Sequence, residues 1–373
     1  MVDKDSARRA RILSPTQRLP PEMPTEAEVL KALAGVRDPE LGKDVVSLHM
    51  VGGVTVDGGK VTFTLNLTTP ACPLRTRLEE SAKSAVAAVP GVEEVVMNTA
   101  SNVFATRDYA GAEMLQGVKN VIAVASGKGG VGKSTVAVNL AVALAASGAK
   151  VGILDADVYG PNIPLMMGVK ATPEVRNEKI VPPEAYGVKV ASLGFFYSEE
   201  TPVIWRGPLV AGAVRQLLTQ VDWGELDYLV CDMAPGTGDA SLTLAQTVPL
   251  GGVLIITTPQ DAALNIAAKA LAMFKRLDVP ILGVVENMSY FVCPHCGEKT
   301  YIFSSGGGKK IAKQRDVEFL GEIPLGLAIR EQSDKGEPIV AAAPNSPESL
   351  IYKELAFRVA GMVSIVAFTK MRK

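Results

Sequence analysis

From residue 120 to the C-terminus the chain alternates between short apolar runs and longer stretches in which apolar residues recur every three or four positions. The runs at 121–126, 150–155, 228–232, 252–257, 281–286 and 317–321 predict strands. Several are almost continuously apolar, as parallel strands covered on both faces must be. The periodic stretches at 136–146, closed by Gly148, and at 261–276 predict helices between them. Strand, loop and helix repeating in this way predict a doubly wound, mostly parallel α/β domain over 119–373, with ligands expected at the carboxyl ends of the strands.

The first third reads differently. Residues 1–22 form a polar, Pro-containing tail expected to be flexible. A helix over 25–33 with Thr25 as its cap, strands over 45–56 and 60–67 joined by Asp57-Gly58-Gly59, a helix over 74–89 and a strand over 92–98 predict a small α+β domain at 23–99. Residues 100–118 carry no sustained period and read as a linker. At the other end, 349–373 is apolar with a basic finish at Lys370, Arg372 and Lys373. Such a segment is either a membrane-targeting helix or a final helix closing the core, and the second is the commoner arrangement.

A chain of 373 residues exceeds one ordinary core, in keeping with two domains. It has 38 basic and 39 acidic residues and no long basic run, which gives no footing to a nucleic-acid groove or a polybasic membrane anchor. The N-terminus has no apolar signal core, and no long charge-free apolar stretch reads as membrane-spanning. A cytoplasmic protein without stable membrane association is expected, whose four cysteines favour metal over disulfides.

The chemistry begins at Gly127-Lys128-Gly129-Gly130-Val131-Gly132-Lys133-Ser134-Thr135, which matches G-x-x-x-x-G-K-[ST] between a predicted strand and a predicted helix. Glycines let backbone N–H groups curl around phosphate oxygens, and the helix N-terminus adds positive field. Lys133 is placed to reach the β- and γ-phosphates and the Ser134 hydroxyl to hold Mg²⁺. Asp155 and Asp157 close the second strand, where carboxylates can support Mg²⁺ through its water shell and orient an attacking water. Tyr228-Leu229-Val230-Cys231-Asp232 is an apolar strand ending in an acid, the Walker B pattern, followed by the glycine-rich turn 234–239, in which the Gly236 N–H can sense a γ-phosphate. Cys231, inside that strand, reads as a small core residue. No N-K-x-D run is present, which favours adenine over guanine and ATP as the nucleotide.

Cys293-Pro294-His295-Cys296-Gly297 brings two thiols close enough for one metal centre. A zinc knuckle needs four ligands, and no second C-x₂-C or H-x₃-H is present. A thioredoxin-like pair belongs in a different βαβ context. A third reading needs a dimer, in which two chains would together supply four thiolates, the set for a cluster bridging a two-fold axis. Ligand count alone does not separate iron–sulfur from zinc at such an interface. Of the two histidines, His49 falls in a strand-like run and reads as structural, and His295 as a spacer between the cysteines.

The loop with its extra lysine, Lys128, resembles the deviant Walker A of the MinD/ParA/nitrogenase-iron-protein group. The resemblance implies a homodimer in which Lys128 reaches the partner's nucleotide and acts in catalysis with Asp157. Asp157-Val158-Tyr159-Gly160-Pro161-Asn162 resembles that group's first switch, and Asn287 its base-reading asparagine. Together with Trp205-Arg206-Gly207-Pro208, the switch around 232–239 and the C-P-x-C-G run, these motifs resemble the Mrp/ApbC iron–sulfur cluster carriers from about residue 120 onward. Met233-Ala234 departs from the family pattern without touching the chemistry. Asp38-Pro39-Glu40 and the Thr68–Pro73 run resemble a small iron–sulfur assembly domain often fused ahead of such carriers, with Cys72 in a loop before a helix. The family implies slow ATP hydrolysis with Mg²⁺, a [4Fe–4S] cluster at Cys293 and Cys296, scaffold proteins as donors and apo iron–sulfur proteins as recipients. The rival is a ParA/MinD-like partitioning or positioning ATPase with a structural metal knuckle.

Overall fold

The computed structural model describes residues 23–38, 42–70, 75–101, 103–106, 114–196 and 207–370. Two compact units are present, one built from Met1–Asn66 and Thr76–Thr99, the other from Leu67–Arg75 and Ala100–Lys373. The tail 1–22, Pro39 and Glu40, Cys72, and Trp205 and Arg206 lie outside the described residues.

In the first unit, helix Glu26–Leu33 opens on a capping box. Thr25 Oγ1 accepts from the Glu28 N–H at 3.3 Å and Glu28 Oε2 accepts from the Thr25 N–H at 2.9 Å, so two otherwise orphaned donors are satisfied. Strands Val51–Asp57, Lys60–Leu67 and Glu94–Ser101 form a sheet in that order. Val61, Phe63, Leu65 and Leu67 alternate into its core, and Leu78, Ala82 and Val86 give helix Arg75–Ala87 its buried face. The strand expected over 45–56 is shorter than its apolar pattern. The Asp44 carboxylate accepts from the N–H groups of Val46 and Ser47, which holds 45–50 in turns instead of a ladder. His49 is therefore not in a strand; it is exposed, with φ of 55°.

The second unit carries an eight-stranded sheet ordered Glu184–Ala185, Val188–Ser192, Val151–Ala156, Leu226–Met233, Val118–Ser126, Gly252–Thr257, Ile281–Glu286 and Phe319–Glu322. Every pairing is parallel except at the Glu184–Ala185 edge. All six expected strands are there, with ends shifted by up to three residues, and the two at the Glu184 edge are additional. Alternate side chains feed two cores. Ile122, Val124, Val230 and Ile256 pack with helices Lys133–Ala146 and Pro347–Lys370 on one face. On the other, Val121, Ala123, Leu229 and Ile255 pack with helices Gly207–Gln220 and Asp261–Arg276. Each fully buried Val, Leu or Ile among these contributes about 1.5–3 kcal/mol. The last helix closes the first of these cores through Tyr352, Leu355, Val359, Ala360 and Val363. Among the described residues no helix is long and apolar enough to cross a membrane. The result of this layering is that Ser126, Asp155, Asp232, Thr257 and Glu286 come to the carboxyl ends of five adjacent parallel strands.

Candidate functional site

Strand Val118–Ser126 passes through the glycine-rich loop into helix Lys133–Ala146. Gly130 and Gly132 are left-handed, with φ of 78° and 79°, a conformation strained for any residue with a Cβ. Close approach also demands glycine at Gly127, where a Cβ would lie 2.6 Å from the Ile266 carbonyl carbon of helix Asp261–Arg276. At Gly132 a Cβ would collide with Asn287 Nδ2, whereas at Gly129 and Gly130 it would meet nothing within 4 Å. The loop thus packs tightly at its ends and is open in the middle, the form needed to lay backbone N–H groups against phosphate. Helix Lys133–Ala146 has no side-chain cap at Gly132, so its N-terminal N–H groups and dipole face the same cavity of about 320 Å³.

Beneath the loop lies an acidic cluster held by one cation. Lys133 Nζ is 2.5 Å from Asp232 Oδ1 and 3.7 Å from Asp157 Oδ2. Ser134 Oγ donates to Asp232 Oδ2 at 2.6 Å. Asp155 is wholly buried, and desolvation together with the charge of Asp232 pushes its carboxyl up to about 8, against the pull of Lys133. Asp157 is raised as well, chiefly by burial, with the Lys133 ammonium opposing. The Ser134 hydroxyl and the carboxylates are hard oxygen donors at the helix N-terminus, a set that fits Mg²⁺.

Asp155 accepts from the N–H groups of Asp157 and Ile163, each at 3.2 Å, and from Ser192 Oγ at 3.0 Å. It therefore fastens the segment carrying Asp157 at both ends. Ser192 lies in a strand, Val188–Ser192, that no apolar run in the sequence marks. Gly236, with φ of 95°, donates its N–H to the Ser126 carbonyl at 2.9 Å, which lays the second glycine-rich turn beside the phosphate loop. Lys128 is half-buried and donates to Gln260 Oε1 at 3.1 Å. Asn287 Nδ2 donates to the Val131 carbonyl at 2.8 Å, so in this structure it braces the loop from behind. Thr135 lies in the first helical turn, and its carbonyl accepts from Asn139 Nδ2.

Cys293 and Cys296 sit at the tip of a hairpin whose legs are Phe291–Val292 and Lys299–Thr300, paired Phe291 to Thr300 and Val292 to Lys299. The tip is closed by Cys293 N–H to the Glu298 carbonyl, Gly297 N–H to the Cys293 carbonyl and a left-handed Gly297. The N–H of Cys296, then that of His295, then the Cys296 side chain hold the Cys293 thiol below its ordinary range. N–H groups converging on a sulfur favour the thiolate, the form that ligates metal. Cys296 is exposed and Cys293 partly so, while Val292, Tyr301 and Ile302 expose apolar surface around them. Among the described residues of one chain, no group of three or more His, Cys, Asp or Glu could hold a metal ion. Cys231 is fully buried in its strand and its thiol is pushed up by desolvation, as a core residue's should be.

Comparison with known proteins agrees in both units. Residues 117–360 match the family model described as NUBPL iron-transfer P-loop NTPase, and residues 26–97 that of an iron–sulfur cluster assembly protein. An iron–sulfur cluster carrier protein of Synechocystis sp. is 49% identical over 92% of this chain and 99% of its own length. The iron–sulfur cluster transfer protein NUBPL of Mus musculus is 48% identical over 72% of this chain and 85% of its own. Among solved structures, a nucleotide-binding protein from Archaeoglobus fulgidus in complex with ADP aligns at 42% identity with a TM-score of 0.56, covering 64% of this chain and 93% of that one. The cell division ATPase MinD of Pyrococcus furiosus shares the fold at 24% identity and a TM-score of 0.50, over 64% of this chain and 98% of its own.

Proposed function

This chain belongs to the iron-transfer P-loop NTPase family, and from that membership we propose that it is an ATP-dependent iron–sulfur cluster carrier working as a homodimer. The observation that carries the proposal is the exposed Cys293/Cys296 hairpin tip, which offers two thiols and, among the described residues, no third ligand in the same chain. Two copies joined at this tip supply four thiolates, the number a [4Fe–4S] cluster takes. A cluster is then cargo held at a surface, where a scaffold protein can load it and an apo iron–sulfur protein can remove it.

ATP enters the cavity over Gly129 and Gly130, with its phosphates drawing Lys133 from Asp232 and Asp157. Ser134, with Asp232 acting through water, would hold Mg²⁺, which supplies charge neutralisation at the phosphate oxygens. Asp157, whose carboxyl is raised by burial, accepts a hydrogen bond from the attacking water and orients it. Gly236 gives up its bond to the Ser126 carbonyl to report on the γ-phosphate through its N–H. Lys128 leaves Gln260 to meet the partner's nucleotide, where it stabilises transferred charge in the manner of an arginine finger. The adenine-reading role of Asn287 stands beside its contact with Val131 as part of this proposal.

Anaerobic reconstitution of the full chain with iron and sulfide, followed by metal analysis, tests the reading. The expected result is broad visible absorption and about four irons per dimer. The absorption should vanish in Cys293→Ala or Cys296→Ala while ATP binding persists, and it should be indifferent to Cys231→Ala. One tightly held zinc per monomer with no iron, or full iron in the double cysteine variant, would leave an ATPase with a structural metal knuckle and sink the carrier.

A further inference from the structure

We propose that Glu286 is a positioning residue that ties the phosphate loop to the base of the cysteine hairpin, so that nucleotide binding is felt at Cys293 and Cys296. The proposal deepens the carrier reading, and rests on it for its purpose, but its geometry stands apart from any bound cluster. Glu286 ends strand Ile281–Glu286, is fully buried and joins no ion pair among the described residues. A buried carboxylate without a cation must be satisfied by hydrogen bonds. Here Oε1 accepts from Ser289 Oγ at 2.6 Å and from the Gly306 N–H at 3.2 Å, and Oε2 accepts from the Gly308 N–H at 2.5 Å.

Those donors come from both sides of the cysteine excursion. Ser289 precedes Cys293, and Gly306 and Gly308 follow Cys296 at the start of helix Gly307–Arg315. One carboxylate therefore clasps together the chain entering and the chain leaving the cysteine excursion. The run Gly306-Gly307-Gly308 is what makes the clasp fit. Gly306 is left-handed at φ of 72°, and a Cβ on Gly307 would collide with Leu264 Cδ1. On Gly308 a Cβ would lie 2.9 Å from the Glu286 Cβ. The helix N-terminus, a ready-made anion site, is thus filled by the protein's own carboxylate.

The residues that follow Glu286 touch the nucleotide side. Asn287 donates to the Val131 carbonyl and receives the close approach of Gly132. Met288 is left-handed at φ of 55°, and its Cε lies 3.5 Å from where a Gly132 Cβ would stand. Ser289 N–H then donates to the Ile323 carbonyl at 3.0 Å. Of these four consecutive residues the middle two, Asn287 and Met288, meet the phosphate loop and the outer two, Glu286 and Ser289, hold the hairpin base, in a packed interior that transmits displacement instead of absorbing it. Phosphate binding that moves Val131 or Gly132 must move Asn287 or break its bond, and Glu286 carries that movement to both flanks of the cysteine hairpin.

The test reads thiol reactivity in the full chain before any cluster is loaded. Alkylation of Cys293 and Cys296 by iodoacetamide is followed by peptide mass spectrometry, with and without ATP and Mg²⁺. In the wild type, nucleotide should change the rate by about five-fold or more, the lower end of ordinary coupling. Glu286→Gln keeps the side-chain volume but replaces one acceptor with a donor. It should bind a fluorescent ATP analogue normally, keep the nucleotide-free alkylation rate and lose the nucleotide effect. Ser289→Ala removes one donor only and should weaken the effect, which decides the matter if Glu286→Gln does not fold. A merely structural role would shift the rate in both states and leave their ratio alone. A wild-type ratio in both variants, or no nucleotide effect in the wild type, overturns the proposal. Absence of iron binding would instead sink the carrier reading and leave this result standing.

Discussion

Replacing Lys133 by alanine removes the ammonium that holds Asp232 at 2.5 Å and Asp157 at 3.7 Å. Both ends of the closer pair are buried, with Lys133 at 6% and Asp232 at 1% exposure, so water cannot take the place of the lost charge. Breaking a buried ion pair from one side costs about 3–5 kcal/mol, because the remaining carboxylate stays desolvated and unpaired. The acids Asp155 and Asp157 beside it raise the cost, and proton uptake by the cluster limits it. Spread over the transition of a unit this large, the loss lowers the melting temperature by roughly 6–20 °C. Removing Asp232 as well, in Lys133→Ala/Asp232→Asn, takes away the stranded charge and should recover most of that loss. ATP affinity should not recover, since the phosphates have lost a charge-assisted partner, a deficit on the order of 10²-fold or more. Calorimetry without nucleotide and titration with a fluorescent ATP analogue separate the two effects. A double variant no more stable than the sum of its singles would refute the claim that Lys133 holds the resting acidic cluster together. ATP affinity within a few-fold of wild type in Lys133→Ala would refute the phosphate-loop assignment itself.

Lys128→Ala gives up a half-buried hydrogen bond to Gln260 and should cost only about 0.5–1.5 kcal/mol of stability, yet hydrolysis should fall about 10²-fold or more with ATP binding retained. Turnover per site that is unchanged and independent of protein concentration would remove the role across the dimer. Asp155 gives a pH dependence: because its folded-state value is raised to about 8, the folded chain keeps a proton that the unfolded chain releases near pH 4. Its contribution is present in full below about pH 4 and lost as pH rises through about 8, so wild type should lose stability relative to Asp155→Asn by up to ~1.4 kcal/mol per pH unit in that window. Urea unfolding of the nucleotide-free proteins across that range checks it, and a difference flat with pH refutes it.

What the sequence displays well here is whatever is set by neighbours along the chain. The phosphate loop is nine consecutive residues, and the capping box spans Thr25 to Glu28. Helix Asp261–Arg276 is legible to both ends, because its acidic first turn, basic last turn and apolar period coincide. What stayed hidden is made by partners far apart. Val188–Ser192 pairs with Val151–Ala156, but its five residues include Lys189, whose Nζ reaches the Trp223 carbonyl, so its pattern does not announce a buried strand. Ser192 meets Asp155 across 37 residues and Glu286 meets Gly308 across 22, separations that no local pattern marks. The turn at 45–50 departs from its pattern for the opposite reason, a purely local one. Its apolar residues Val45, Leu48 and Met50 are buried, but at spacings of three and two instead of a strand's two, and a side-chain oxygen from Asp44 takes the N–H groups a ladder would need.

A nucleotide can shift this molecule only through contacts that differ between its states. Without phosphate, the two lysines of the loop are already engaged inside one chain, Lys133 with Asp232 and Lys128 with Gln260. Each contact must be surrendered for its proposed role with ATP, so each stabilises the resting state and sets the free energy that phosphate must overcome. The two differ in depth. Lys133 is buried among acids and its exchange is a large electrostatic event confined to the cavity. Lys128 is half-buried and held by a single neutral hydrogen bond, which costs little to release. In the proposed dimer, this ordering lets phosphate bind firmly in one chain before Lys128 is committed across the two-fold axis. The Asn287 brace on Val131 lies on the other side of the same loop, so the chain can report phosphate occupancy to the cysteine hairpin even before a partner arrives.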